Sequence, residues 1–311
     1  MSDGKRRVVA IGFFDGVHLG HGALMRATVQ EAKRLDAEAC VMSFDRHPGA
    51  AITGRPVPMI NSNQDRVWIM KHYYGIEEVI LAEFNEKMMH QPWDEFVEDY
   101  LVGELGAVCV ITGDDNRFGA RGQGNPERLR QKCAELGIGC KIIGMVEVDG
   151  VQVHSTKIRE LLQAGEMEQV DRLLGHPHIL THRVEKGKKL GSALGFPTVN
   201  LAFAPGVIVP AYGVYATRVH IGDTVENAVT NIGVRPTVQD DNHVTVEGFI
   251  LDYLGDLYGQ EVRMEFYKYL RPERKFPDFQ ALTREVMHNA DQTREYFASH
   301  PHLWDPVWDL A

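Results

Sequence analysis

Short apolar runs alternate with segments of helical periodicity through the first half of the chain, from Arg7 to about Leu162. In the segment HGALMRATVQEAKRL, Met25, Val29 and Ala32 recur at helical spacing and predict an amphipathic helix. Nearly continuous apolar strands separated by helices are typical of an α/β domain whose parallel sheet is covered on both faces. The predicted strands are RVVAIG, ACVMSF, EVILAEF, AVCVIT and CKIIGMVEV.

The second half of the chain has a different rhythm. Its apolar runs are short, and Gly, Pro and Asp stand at the breaks, which favours an antiparallel sheet or barrel. A helical segment, PDFQALTREVMHNADQTREYFASH, follows the last of these runs. The change of rhythm predicts two domains, 1–176 and 177–311. The strand segments of the second are GVYATRVHIG, AVTNIGVRPTV, VTVEGFILDY and EVRMEFYKYL.

Composition and charge narrow the function classes. The 311 residues are 44% apolar and 24% charged, which is typical of a soluble globular protein. A formal net charge of −10 without a dense Lys/Arg block argues against nucleic-acid or membrane partners. The four cysteines form no C-x-x-C pair, which is consistent with a reducing compartment. We therefore expect a cytoplasmic protein, and its composition leaves a homo-oligomer open.

The segment GFFDGVHLGH lies between the first predicted strand and the first predicted helix. His18 and His21 are three residues apart, so they share one face of a helix that begins there. Free backbone N–H groups and the positive end of the helix dipole favour an anion at this position. The segment therefore predicts a phosphate site suited to nucleotidyl transfer. The alternative is that one histidine only caps the helix and the other lies on the surface.

A second segment, HSTKIRELL, has the features of another helix start. Ser155 and Thr156 are good N-cap residues, and Arg159 follows one turn later. Two hydroxyls and a guanidinium at a helix start can hold the outer phosphates of a nucleoside triphosphate. The alternative is simple capping, with Arg159 in solvent.

These segments resemble a known family. GFFDGVHLGH is similar to the H-x-G-H segment of the nucleotidylyltransferase superfamily, in the form found in bacterial bifunctional riboflavin kinase/FAD synthetases. GDDNRFGARGQG resembles that family's G-x-D-F-x-F-G loop, and HSTKIRELL resembles its S-S-T-x-I-R signature. The resemblance implies a Rossmann-like adenylyltransferase domain. It implies His18 and His21 as transition-state stabilisers; Gly12, Phe13, Asp15, Gly16, Ser155, Thr156 and Arg159 as further ATP-binding residues; and Asp115, Asn116 and Phe118 as flavin-binding residues.

Three positions depart from the family pattern. Phe13 stands where asparagine is common, Asn116 replaces an aromatic residue, and His154 replaces a serine. The last two motivate an alternative prediction, a monofunctional riboflavin kinase with a degenerate adenylyltransferase domain.

The second half carries its own candidate chemistry. In LGFPTVNL, Thr198 and Asn200 are two residues apart, so on a strand they face the same side and can bind a hard cation. Glu247 lies within an apolar strand, where a carboxylate is costly unless it is paired or functional. It can serve as a general base toward a hydroxyl that attacks a γ-phosphate. The alternative for Thr198 and Asn200 is ordinary turn chemistry after Pro197. The alternative for Glu247 is a strand residue that faces outward from a half-solvated sheet.

Five segments follow the signature order of the riboflavin kinase family: GSALGFPTVNL, PAYGVYA, TNIGVRPTV, VEGFILDYLGDLYGQEV and LRPERKFPDFQAL. That family folds as a six-stranded barrel. The resemblance implies Gly195, Thr198 and Asn200 at the ATP and magnesium site, and Glu247 as base for the ribityl 5′-hydroxyl. It also implies Arg271 and Phe276 on the flavin side.

The combined prediction is a bifunctional enzyme that phosphorylates riboflavin to FMN and then transfers AMP from ATP to FMN, giving FAD and pyrophosphate. Its expected partners are the small molecules riboflavin, FMN and ATP. Its expected cofactor is Mg²⁺ with ATP, without a tightly bound prosthetic group. Two further alternatives are a flavin carrier without turnover and a nucleotidylyltransferase for another phosphorylated substrate.

Overall fold

The computed structural model describes residues 4–185, 198–235 and 243–301. The chain divides into two compact units. In the described ranges, the first comprises 4–59 and 66–155, and the second 60–65 together with the described residues from 156 onward. Among the helices in these ranges, none is both long and apolar enough to cross a membrane. The predicted domain boundary after residue 176 stays a prediction.

The first unit contains a five-stranded, fully parallel sheet with strand order 3-2-1-4-5. The central strand β1 is buried at every residue, as its apolar sequence predicts. Four of the five predicted strands are confirmed to within two residues at their ends, and the fifth, CKIIGMVEV, is confirmed only as far as Ile143. The strands are β1 (Arg7–Ile11), β2 (Glu38–Phe44), β3 (Glu78–Ala82), β4 (Ala107–Gly113) and β5 (Gly139–Ile143).

Helices connect these strands. The longest, α1 (Leu19–Leu35), contacts β1, β2 and β4 and ends at Asp36, which adopts a left-handed conformation. The remaining helices are α2 (Pro48–Thr53), α3 (Asn63–Tyr74), α4 (Glu86–His90), α5 (Trp93–Glu95), a π-helical continuation of α5 (Phe96–Glu104) and α6 (Pro126–Glu135). A short hairpin of β6 (Glu147–Val148) and β7 (Val151–Gln152) follows β5.

The order of the strands defines where a ligand is expected. The chain runs outward from β1 to β2 and β3, and then returns to place β4 on the other side of β1. The order therefore reverses between β1 and β4. Ligands of open parallel sheets bind beyond the carboxyl ends of the strands at such a switch point.

The second unit contains a six-stranded antiparallel sheet with order β8-β13-β10-β11-β12-β9. Two residues beyond β8, Glu185 forms an antiparallel bridge to β9, the other edge of the sheet, and its backbone N–H donates to the carbonyl of Asn200 at 2.9 Å. The predicted antiparallel barrel with a terminal helix is thus confirmed. The strands are β8 (His178–Arg183), β9 (Thr198–Leu201), β10 (Gly213–Ile221), β11 (Thr224–Arg235), β12 (His243–Ile250) and β13 (Glu261–Arg271).

Three helices complete this region: α7 (Ser155–Ala164), α8 (Met167–Leu174) and the terminal helix α9 (Phe279–Ser299). Asp278 caps α9 through its carboxylate, which accepts from the N–H of Ala281 at 2.7 Å. Buried residues of α9, including Tyr296 and Phe297, pack against Ala216 and Tyr267 of the sheet. The helix therefore covers one face of β10 and β13.

Candidate active sites

The turn after β1 is strained. Phe14 and Val17 have φ angles of 56° and 46°, a left-handed conformation that non-glycine residues rarely adopt, and Gly16 between them has a φ of 76°. Both non-glycine side chains are buried, so packing compensates the backbone strain. The turn places His18 at the first position before α1, on the β1 side of the switch point.

The two histidines of the predicted phosphate site lie against each other. The His18 Nδ1 atom accepts a hydrogen bond from the His21 backbone N–H at 3.3 Å. The two rings stack with their centroids 3.6 Å apart. Gly20 permits this arrangement, because a Cβ atom there would lie 3.2 Å from the His18 ring. His18 therefore does cap the helix, as in the alternative interpretation, and the partly exposed His21 stacks on it with its Nδ1 atom buried.

The electrostatics of the site favour a neutral His21 ring. Burial lowers the pKa of His21 well below its ordinary value, and the charges of His18 and Arg66 lower this pKa further. Since His18 Nδ1 is an acceptor, the proton of neutral His18 lies on Nε2. Neutral His21 can thus donate one ring N–H, and His18 can donate from Nε2.

Arg66 of α3 is a functional candidate that the sequence analysis missed. Its buried guanidinium donates to the Phe13 carbonyl at 2.5 Å and to the Phe44 carbonyl at 2.7 Å. It also lies over the Phe13 ring, 4.6 Å from the centroid. One side chain thus connects the loop that follows β1 with the last residue of β2. The sequence feature that could have revealed Arg66 is a charged residue among the apolar residues of a helix, since Ile69 and Met70 are buried beside it.

Replacing Arg66 is expected to destabilise the protein substantially. In Arg66→Met, two partly buried carbonyls lose a charged donor, so the free energy of unfolding should fall by about 3 kcal/mol. A urea titration followed by circular dichroism measures this change. Arg130→Met is the matched control, because the ion pair of Arg130 with Glu127 is exposed and should contribute little. Equal stability of the two variants would contradict the bridging role of Arg66.

A cavity of ≈ 350 Å³ opens at the carboxyl ends of the first unit's strands. Its wall is rich in apolar and aromatic side chains, with polar groups at a few positions. Planar ring systems favour such surroundings because aromatic faces stack. Aromatic and methionine residues of the wall include Phe13, Phe44, Phe84, Phe96, Phe118, Met42, Met88 and Met89, and the polar ones are His90, Asn116, Arg117 and Arg121.

The predicted flavin residues are distributed unevenly around this cavity. Asn116 and Phe118 line it, whereas Asp115 is exposed and is not among the lining residues. The Asn116 amide donates to the Thr112 hydroxyl at 2.8 Å and to the Ile11 carbonyl at 3.4 Å. Asn116 thus connects β4 with β1 at the switch point.

The predicted ATP residues of the first unit surround the same strand end. Gly12 and Phe13 line the cavity, Asp15 and Gly16 are buried in the turn before His18, and the Ser155 hydroxyl donates to the Asp15 carbonyl at 3.0 Å. Thr156 and Arg159 follow in α7, in the part of the chain that belongs to the second unit. Their phosphate-binding role stays a prediction.

In the second unit, polar residues form a row across the sheet. Glu247 of β12 is directly opposite Asn200 of β9 and, on its other side, opposite Asn231 of β11. Directly opposed residues of neighbouring strands share a face of the sheet. The row runs in the order Asn200, Glu247, Asn231, Val214, Arg271.

This row borders a cavity of ≈ 280 Å³. Four of the predicted kinase residues line it: Thr198, Glu247, Arg271 and Phe276. Asn200 pairs with Glu247 in register, and Gly195 lies outside the described residues. Glu247 lines this cavity, and its role as a base stays a prediction.

Further polar residues of this cavity were not predicted. The Asn231 amide donates to the Glu273 carboxylate at 3.2 Å. Gly233 allows Glu273 to approach, since a Cβ atom there would lie 2.0 Å from its carboxylate oxygen. Arg274 also lines the cavity. The charged cluster in LRPERKF was the available signal, but the sequence does not show which of its charges face inward.

Two family models match successive parts of the chain. The model described as FAD synthetase matches residues 1–157, and the model described as riboflavin kinase matches residues 174–297. The chain belongs to the family of bifunctional riboflavin kinase/FMN adenylyltransferases. The matches support two activities, and not the monofunctional alternative.

Curated relatives with the name bifunctional riboflavin kinase/FMN adenylyltransferase align along nearly the whole chain. The relative from Listeria monocytogenes is 30% identical over 94% of this chain and 93% of its own length. The relative from Bacillus subtilis is 31% identical with the same coverage, and the one from Pseudomonas fluorescens is 34% identical over 91% of this chain and 90% of its own.

A solved structure titled as a macrolide-efflux protein from Streptococcus pneumoniae has a similar fold. It is 27% identical, with a TM-score of 0.82, and the match covers 94% of this chain and 95% of that one. The predictions of family, fold class and paired transferase activities are therefore confirmed.

Proposed function

We propose that the second unit phosphorylates riboflavin, with Glu247 as general base. The main support for this proposal is the position of Glu247. It lies between Asn200 and Asn231, on the wall of the cavity that Thr198 also lines. Glu247 removes the proton from the ribityl 5′-hydroxyl, and the resulting oxygen attacks the γ-phosphorus of ATP. The bond between that phosphorus and the bridging oxygen breaks, and ADP leaves.

Thr198 and Asn200 are the proposed holders of Mg²⁺ with ATP. Both families use ATP, and kinases of this kind generally need a divalent metal. A hydroxyl and an amide oxygen on one face of β9, next to a carboxylate, are hard oxygen donors that fit Mg²⁺. When bound, the ion neutralises charge on the transferring phosphate. The two side chains orient the phosphates toward Glu247.

The first unit is proposed to transfer AMP from ATP to FMN. An oxygen of the FMN phosphate attacks the α-phosphorus, and pyrophosphate leaves. His18 and His21 donate ring N–H groups to the charge that develops there, without a covalent protein intermediate. The aromatic cavity next to Gly12 and Phe13 is proposed to hold the isoalloxazine ring, because its wall is apolar and close to the strand end that leads to His18.

Ser155 is proposed to contact the phosphates of ATP in the first unit. Ser155 is tied to the turn before His18 through its hydrogen bond to the Asp15 carbonyl. This contact supports a shared role for the two motifs. The phosphate-binding role of Thr156 and Arg159 stays a prediction from the sequence.

A time course with riboflavin, ATP and Mg²⁺ tests the whole proposal. Chromatography separates riboflavin, FMN and FAD, and we expect FMN to rise first and FAD to follow. FMN accumulating without FAD would contradict the role of the first unit. Bound riboflavin with no conversion would contradict both enzymatic roles and favour a flavin carrier.

The other expectations from the sequence stay predictions. They are a cytoplasmic location, the absence of nucleic-acid and membrane partners, and the absence of a tightly bound prosthetic group.

A further inference from the structure

Two arginines on the wall of the kinase cavity share one carboxylate. Glu285 of α9 contacts the Arg271 Nε atom at 3.0 Å through one oxygen and forms an ion pair with Arg274 through the other. Only 16% of the Glu285 side chain is exposed, and Glu285 is not among the residues that line the cavity. The Glu285 carboxylate therefore contacts two residues of the cavity wall without lining the cavity itself.

The two guanidinium groups also share an aromatic ring. Arg271 and Arg274 lie over Phe276, at 5.6 and 4.9 Å from its centroid. Two like charges over one ring repel each other unless an anion lies between them. Glu285 supplies that anion, and a partly buried ion pair is screened less by solvent than an exposed one.

The arginines do not depend on Glu285 equally. Arg271 is 17% exposed and also donates to the Asn289 amide oxygen at 3.1 Å and to the Pro272 carbonyl at 3.0 Å. Arg274 is 52% exposed, and its ion pair in the described structure is with Glu285. Loss of the carboxylate should therefore release Arg274 and leave Arg271 in place.

We propose that Glu285 is a positioning residue for flavin binding in the kinase cavity, acting through Arg274. Its carboxylate holds Arg274 against Phe276, so that the wall facing the flavin is formed before riboflavin enters. The inference rests on the proposed kinase site, in which Arg271 and Phe276 face the flavin. It adds a residue that touches neither riboflavin nor ATP.

The test is a kinetic comparison of Glu285→Gln with the full-length wild-type chain. Glutamine keeps the size of the side chain and removes its charge. We expect the KM for riboflavin to rise about tenfold while kcat stays within about twofold, since the lost contribution is to substrate binding and not to the chemical step. Glu295→Gln, at an exposed position of the same helix, should match wild type in both constants.

A double-mutant cycle with Arg274→Met separates positioning from a structural role. If Glu285 acts through Arg274, the double variant Glu285→Gln/Arg274→Met should have the same KM for riboflavin as Arg274→Met alone. A rise that persists in the Arg274→Met background would overturn the inference, as would an unchanged KM in Glu285→Gln alone. A thermal unfolding curve by circular dichroism that matches wild type serves as the check of folding for each variant.

The failure of this inference is distinguishable from the failure of the proposed function. If wild type phosphorylates riboflavin and Glu285→Gln has the same kinetics, only the positioning role is wrong. If wild type forms no FMN from riboflavin, the kinase assignment itself is wrong.

Discussion

Glu247→Gln is expected to slow FMN formation from riboflavin by about a thousandfold, because glutamine cannot accept the proton of the ribityl hydroxyl. The substitution keeps the size of the side chain, so the row from Asn200 to Asn231 should stay packed. FAD formation from supplied FMN should be unchanged, since Glu247 belongs to the second unit. Steady-state rates for the two half-reactions, each with its own substrate, measure both effects.

A matched control for this prediction is available on the neighbouring strand. Glu226 lies on β11, five residues from Asn231 in a strand with regular register, so it faces the opposite side of the sheet. Glu226→Gln should phosphorylate riboflavin at the wild-type rate. A Glu247→Gln enzyme that also does so would eliminate Glu247 as the base.

The combined substitution His18→Ala and His21→Ala is expected to have the second large effect. Removal of one donor to a developing oxyanion typically costs about a hundredfold to a thousandfold in rate, and donors that act together are not additive. We therefore expect FAD formation from FMN to fall by at least about a thousandfold. FMN formation from riboflavin should be retained.

A subtler variant separates catalysis by His18 from its capping role. Asparagine is a good N-cap residue, so His18→Asn can still accept from the His21 N–H while it lacks the ring Nε2–H. It should keep the stability of wild type and lose most of the adenylyl transfer rate. His72→Ala, at an exposed histidine of α3, is the control. Full activity of His18→Asn would show that His18 only caps the helix.

The lowered pKa of His21 predicts how the rate of adenylyl transfer depends on pH. Because burial and the charges of His18 and Arg66 hold this pKa well below its usual value, His21 stays neutral across the range in which an exposed histidine titrates. The rate of adenylyl transfer should therefore show no inflection from His21 near neutral pH.

Much of both sites could be predicted because their motifs are contiguous. His18 and His21 lie within one turn of α1, and Thr198 and Asn200 lie on one strand, so local geometry alone places each pair on one face. Arg66 and Glu285 could not be predicted in the same way. Each acts on residues that are distant in the sequence or on another element, and a charged residue in a helix is usually solvated.

The alternating pattern of the chain by itself determined the two classes of sheet, since near-continuous apolar runs require burial on both faces and short broken runs favour antiparallel pairing. It also determined the local chemistry of each motif. Only the tertiary structure decided which motifs meet. The register of β9, β12, β11, β10 and β13 places Asn200, Glu247, Asn231 and Arg271 in one row, and a shift of one residue would turn a strand's side chains to the other face. That register depends on packing across the whole sheet, which no single segment of the sequence contains.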